Sequence, residues 1–144
     1  MYARTVSPTL RVAAVIVVLA LSATACNRSG EARTASICDD LRNLRATVSF
    51  LEAPSPGASV GEVRGDIEKL TSTVSAVEGS DAVPDPMGGA FSAARDDYRD
   101  LLDGIGDDDP FSRVSAEAAA PARRLGGAYD AVVEQLACDR TPSG

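Results

Sequence analysis

The sequence predicts an all-α protein, an antiparallel up-down-up-down four-helix bundle closed by a disulfide between its first and last helices. Three observations lead there. Apolar residues recur at alternating intervals of three and four along four separate segments. Short runs rich in Gly, Pro, Ser and Asp divide those segments. Two cysteines, Cys38 and Cys138, fall where an up-down-up-down path brings the start of the first helix beside the end of the fourth. Spacing of three and four gathers side chains on one face of a helix, and short connections favour antiparallel neighbours.

The first stripe is Ile37, Leu41, Leu44, Val48 and Leu51, predicting a helix over 37–52. Ser36 with Asp39 resembles an N-terminal capping arrangement. The run Ala53-Pro54-Ser55-Pro56-Gly57-Ala58 then breaks the pattern. A second helix over 60–77 carries Val60, Val63, Ile67, Leu70, Val74 and Val77, and opens on a Ser59–Glu62 capping box. After the breaker run 79–84, a third helix over 86–103 carries Met87, Phe91, Ala94, Tyr98, Leu101 and Ile105. The fourth, over 110–137, carries Phe111, Val114, Ala118, Leu125, Tyr129, Val132 and Leu136. Asp85-Pro86 and Asp109-Pro110 each offer an acidic N-cap followed by proline at the first helical position. No stretch alternates with period two, which argues against strands. Pro121 lies inside the fourth helix, where the missing N–H and the ring clash cost about 3 kcal/mol, so a bend or a split is expected there.

Joining Cys38 to Cys138 closes a loop of 100 positions. In the chain-entropy account such a loop contributes about 4.7 kcal/mol. That contribution matters for a core poor in aromatics (4%) and without tryptophan, because each small side chain buries little area.

The N-terminal segment has a different character. Residues 1–11 hold Arg4 and Arg11 and no acid, Val12–Leu21 is an unbroken apolar run, and Ser22-Ala23-Thr24-Ala25-Cys26 follows. A positive start, an apolar core and small residues describe a secretory signal over 1–25. From Val12 to Ala25 the chain is shorter than the roughly 20 residues a membrane span needs.

Ala23-Thr24-Ala25-Cys26 resembles the lipobox of bacterial lipoproteins, with Ala23 where leucine is commonest. The resemblance covers the signal segment alone. It implies that Cys26 is diacylated, becomes the mature N-terminus and holds the protein on the outer face of the bacterial cytoplasmic membrane. The same small residues also satisfy ordinary signal cleavage, which would secrete a soluble protein. Parity favours lipidation: of three cysteines, a modified Cys26 leaves an even pair in an oxidising compartment. The expected layout is a lipidated N-terminus and flexible tether over 26–35, a bundle domain over 36–138 and a disordered tail over 139–144.

Composition excludes much chemistry. Histidine is absent, which removes Ser-His-Asp and Cys-His catalysis, His-ligated metals and a histidine pH switch. The formal charge is −7, and beyond residue 25 it becomes −9, from 12 basic and 21 acidic residues. Such a surface repels phosphate backbones, so no nucleic-acid partner is expected. The acids crowd between Asp96 and Asp109; Asp103, Asp107, Asp108 and Asp109 are weak candidates for a divalent cation, since hard oxygen donors suit calcium. Their spacing departs from the calcium-loop pattern, and capping and solvation account for them more simply. Lys69, the sole lysine, sits between acids on a polar face. Arg42, Arg45, Arg123 and Arg124 are expected to pair with surface acids.

No catalytic residue and no cofactor are predicted, and the bundle is expected to lack an evident cleft. The expectation is a membrane-anchored envelope protein acting as a non-catalytic interaction module for a protein partner. A small-ligand or cation-binding domain is the alternative, and a carboxylate-based hydrolase a more distant one. Fold alone does not choose among them.

Overall fold

The computed structural model describes the backbone of residues 9–139 and the side chains of residues 29–139. Among the described residues it is all-helical: α1 (Thr9–Glu52), α2 (Val60–Lys69), α3 (Thr71–Glu78), α4 (Asp85–Leu102), a 3-10 turn at Phe111–Arg113, and α5 (Ser115–Gln135). No strand occurs among them, only an isolated bridge between Ser59 and Pro110. The chain forms two compact units, Met1–Arg33 and Thr34–Gly144. The second holds the core.

Within that unit the stripes turn inward as their spacing demands. Val60, Val63, Ile67, Leu70, Val74 and Val77 are all fully buried, joined by Leu41, Leu51, Phe91, Tyr98, Leu125 and Val132. Phe91 on α4 and Tyr129 on α5 meet edge to face at a centroid distance of 6.5 Å, a geometry suited to aromatic quadrupoles. Thr73 and Ser80 are the buried polar residues, and no buried side-chain nitrogen or oxygen among the described residues lacks a partner.

Several elements differ from the sequence expectation. The first helix does not start at 37: α1 runs through residues 27–35, the segment expected to be a flexible tether. Arg28, Glu31, Ala32, Arg33 and Ala35 are good helix formers, Gly30 is the weakest of the run, and no proline lies between Pro8 and Pro54. Ser36 is therefore an exposed position inside a helix and caps nothing.

The second predicted helix is two. Leu70 closes α2 and opens α3, its N–H donating to the Ile67 carbonyl at 3.1 Å. This tighter, three-residue turn keeps Leu70 fully buried between Ile67 and Val74, while the β-branched Thr71, Thr73 and Val74 that follow favour continuous helix less.

In α4 the N-cap is Pro84 and not Asp85: its carbonyl accepts from Met87 N at 2.8 Å and from Gly88 N at 3.1 Å. Asp85 becomes the first-turn acid, still favourable at the positive helix end. Toward the other end Leu102, four positions after Tyr98, is fully buried, and the expected Leu101 is only half-buried.

Asp109 likewise caps no helix. Pro110 precedes the 3-10 turn, and α5 proper begins at Ser115. Pro121 does not split α5, which is continuous from Ser115 to Gln135. The ring is itself buried among the core contacts of α5, so packing offsets the backbone cost.

The sulfurs of Cys38 and Cys138 are bonded, with their Cα atoms 5.1 Å apart. Both residues are buried. Asp139, expected in a loose tail, is held by Arg45 at 2.8 Å; residues 140–144 lie outside the described residues.

Candidate functional site: two loops and the cleft beside them

The breaker run 53–59 and the acidic run 103–109, far apart in sequence, meet in space. Val60 N donates to the Asp109 carbonyl at 2.9 Å, Gly61 N to the Asp107 carbonyl at 3.0 Å, and Phe111 N to the Ala58 carbonyl at 2.9 Å. The first two use donors that the N-terminus of α2 would otherwise leave unpaired. Ser59 completes that end with a reciprocal capping box: its hydroxyl accepts from Glu62 N at 3.2 Å, and its N–H donates to the Glu62 carboxylate at 2.8 Å. Gly61 allows the approach, because a Cβ there would stand 2.9 Å from the Asp107 Cβ.

Arg64, one helical turn further on, pins the acidic loop. Its guanidinium donates to the carbonyls of Leu102 at 2.8 Å and Ile105 at 3.0 Å, and pairs with the Asp107 carboxylate. Leu102 and Ile105 flank Gly104, whose φ of +83° ends α4 in the left-handed conformation, so the cation faces the negative end of that helix. Asp109 accepts from Gly106 N at 3.2 Å and pairs with Arg113 at 2.7 Å.

These partners decide what the four candidate aspartates do. Asp107 and Asp109 are engaged by arginines, while Asp103 and Asp108 are exposed. Among the described residues no group of three or more carboxylates or cysteines is arranged to hold a metal. The acidic loop is organised by guanidinium and backbone contacts.

Beside the loops lies a cleft of about 300 Å³, between the 51–56 turn and α5. The bundle expected to lack an evident cleft therefore has one, formed by residues too far apart in sequence for their spacing to reveal it. Leu51, Tyr98, Phe111, Ala118 and Ala122 form its inner wall, and Glu52, Pro54, Ser112 and Ser115 its rim. Tyr98 is fully buried, and its hydroxyl donates to the Leu51 carbonyl at 2.9 Å. Burial raises its pKa to about 12 by disfavouring the phenolate. The Glu52 side chain lies across Gly126, where a Cβ would overlap its carboxylate. Glu52 makes no ion pair among the described residues.

The disulfide end is organised separately. Arg42 donates to the Cys138 carbonyl at 2.6 Å and pairs with Asp39. The Tyr129 hydroxyl donates to the Leu41 carbonyl at 2.7 Å. Burial raises the Tyr129 pKa, and the neighbouring Arg45 opposes that rise. Of the other predicted surface arginines, Arg124 pairs with Asp97 at 3.1 Å. Lys69 is paired with Asp66, so the sole lysine is part of a surface ion pair.

The Cys26 side chain and the signal segment's side chains lie outside those described. Among the described residues no helix is long and apolar enough to cross a membrane. No family model matches this chain, and no curated protein or solved structure matches it significantly.

Proposed function

We propose that this protein is a bacterial envelope lipoprotein, anchored through a diacylated Cys26 to the outer face of the cytoplasmic membrane, whose helical domain is a non-catalytic module for a protein partner. The observation that carries the reading is the bond between Cys38 and Cys138. Those two thiols satisfy each other, and Cys26 is left as the odd cysteine of three, directly after a signal-like apolar run. Two acyl chains on one cysteine suffice for stable membrane attachment.

The reading includes an antiparallel up-down-up-down path. Four long-range pairings support it: Leu51 with Tyr98, Leu41 with Tyr129, Ala82 with Gln135, and Ser59 with Pro110. On that path the 53–59 and 104–109 loops form the end opposite the Cys38–Cys138 bond, and that end meets the partner. The absence of histidine and the use of both buried tyrosine hydroxyls on backbone carbonyls support a non-catalytic role.

Intact mass of the mature chain from membranes tests the anchor. A product beginning at Cys26 with the mass of a diacylglyceryl group supports it. An unmodified Cys26 in a soluble product instead supports secretion through ordinary cleavage, and a chain retaining Met1 overturns both. Cross-linking from residues on the two loops, compared with cross-linking from the disulfide end, tests which end meets the partner.

A further inference from the structure

We propose that the cleft between the 51–56 turn and α5 is a binding site for a small organic ammonium ion with an apolar body. The cleft holds about 300 Å³, at the lower end of the range for small-molecule sites. Its inner wall combines the aromatic rings of Tyr98 and Phe111 with the small side chains of Ala118 and Ala122. The Tyr98 hydroxyl already donates to Leu51, so that wall asks for no donor from a ligand and suits apolar contact.

Charge selects the kind of ligand. Glu52 is the one ionisable carboxylate in the lining, and no lysine or arginine accompanies it there. Asp39, Asp97, Asp107 and Asp109 have arginine partners; Glu52, like Asp103 and Asp108, has none among the described residues, and of these three it alone lines the cleft. A carboxylate beside apolar surface, with no resident cation, fits an ammonium head whose apolar body enters the cleft. The hydroxyls of Ser112 and Ser115 on the same rim offer an ammonium further oxygen acceptors. Pro54 and Pro56 restrict the turn that forms the opposite lip, so little conformational freedom remains to be lost on binding. The site uses neither Cys26 nor the acidic loop's aspartates, so it stands or falls separately from the anchor.

Phenethylamine, 2-phenylethanol and phenylacetate share an apolar body and differ in head charge. Titrating each into the mature protein, followed by two-dimensional amide NMR, reads both affinity and location. Expected are saturable shifts at Glu52, Ser112 and Ser115 with phenethylamine at a dissociation constant of about 1 mM, weaker binding of the alcohol and none of the acid. Glu52→Gln should weaken the amine about threefold and leave the alcohol unchanged, and Ala119→Leu should weaken both by filling the cleft. Equal binding of all three probes, shifts confined to other surfaces, no saturation, or an amine preference that survives Glu52→Gln would each overturn the proposal. Ala119→Leu requires a native circular dichroism spectrum to count; Glu52→Gln, at an exposed position, decides without it.

Discussion

The Tyr98 hydroxyl donates to the main-chain carbonyl of Leu51 across 47 positions of sequence, at 2.9 Å and fully out of water. The bond ties the last turn of α1 to α4, and Tyr129 makes the corresponding tie from α5 to Leu41. Each removes a hydroxyl from the list of buried polar atoms that would otherwise oppose folding. Tyr98→Phe and Tyr129→Phe should each cost about 1 kcal/mol in urea unfolding. Their partners differ, so the double variant should lose the sum within about 0.5 kcal/mol.

Tyr98 also makes stability fall at alkaline pH. Its folded pKa is raised from 10.0 to about 12, so above pH 10 the unfolded chain releases this proton first. The contribution is complete below pH 10 and is lost as the pH climbs through 12, a change on the order of 2 kcal/mol. Urea midpoints measured across that window should decline, and Tyr98→Phe should flatten the decline. An unchanged slope in the variant would show that other groups cause it.

Arg64 is expected to be the most consequential surface arginine. Arg64→Ala strips donors from the carbonyls of Leu102 and Ile105 and a partner from Asp107, and should cost about 1.5–3 kcal/mol. Arg64→Lys keeps the charge without the planar fork and should recover only part of the loss. Arg113→Ala, which breaks an exposed pair with Asp109, should cost below about 1 kcal/mol. Denaturant midpoints of the three variants give the ranking directly.

Two glycines should respond with opposite sign. Gly61→Ala would press a methyl group into the Asp107 backbone and Cβ and should destabilise by about 1–3 kcal/mol. Gly127 lies exposed within α5 with open space around it. Gly127→Ala should stabilise by about 0.5–1 kcal/mol through higher helix propensity. Thermal unfolding of both variants at one pH distinguishes them.

Reduction of Cys38–Cys138, or replacement of both cysteines by serine, should cost about 2–5 kcal/mol. Urea curves with and without reductant measure it, and the serine variant should be indifferent to reductant.

Much of the helical core was legible because burial follows a period that survives in one dimension. Val60 to Val77 shows this best: every residue of that stripe is buried. The break at Leu70 was not legible, since a one-residue tightening leaves the apolar spacing intact. Leu101 and Leu102 are adjacent and chemically identical, and only packing decides between a step of three and a step of four. The loop-end site was nearly invisible. Arg64 reads as one more exposed cation, because its partners lie 38 to 43 positions away. Glu52 reads as a solvated helix end, and its place on the cleft rim depends on where α5 passes. The disulfide was legible because topology and parity could be reasoned together without knowing any side-chain contact.

The cystine joining residues 38 and 138 also acts as a mechanical bypass. Tension applied between the two ends of the chain crosses from one strand to the other at that bond. Only the residues outside the ring can be drawn straight. The helices inside carry no share of an end-to-end load, and a protease cut in either exposed loop leaves the halves covalently attached.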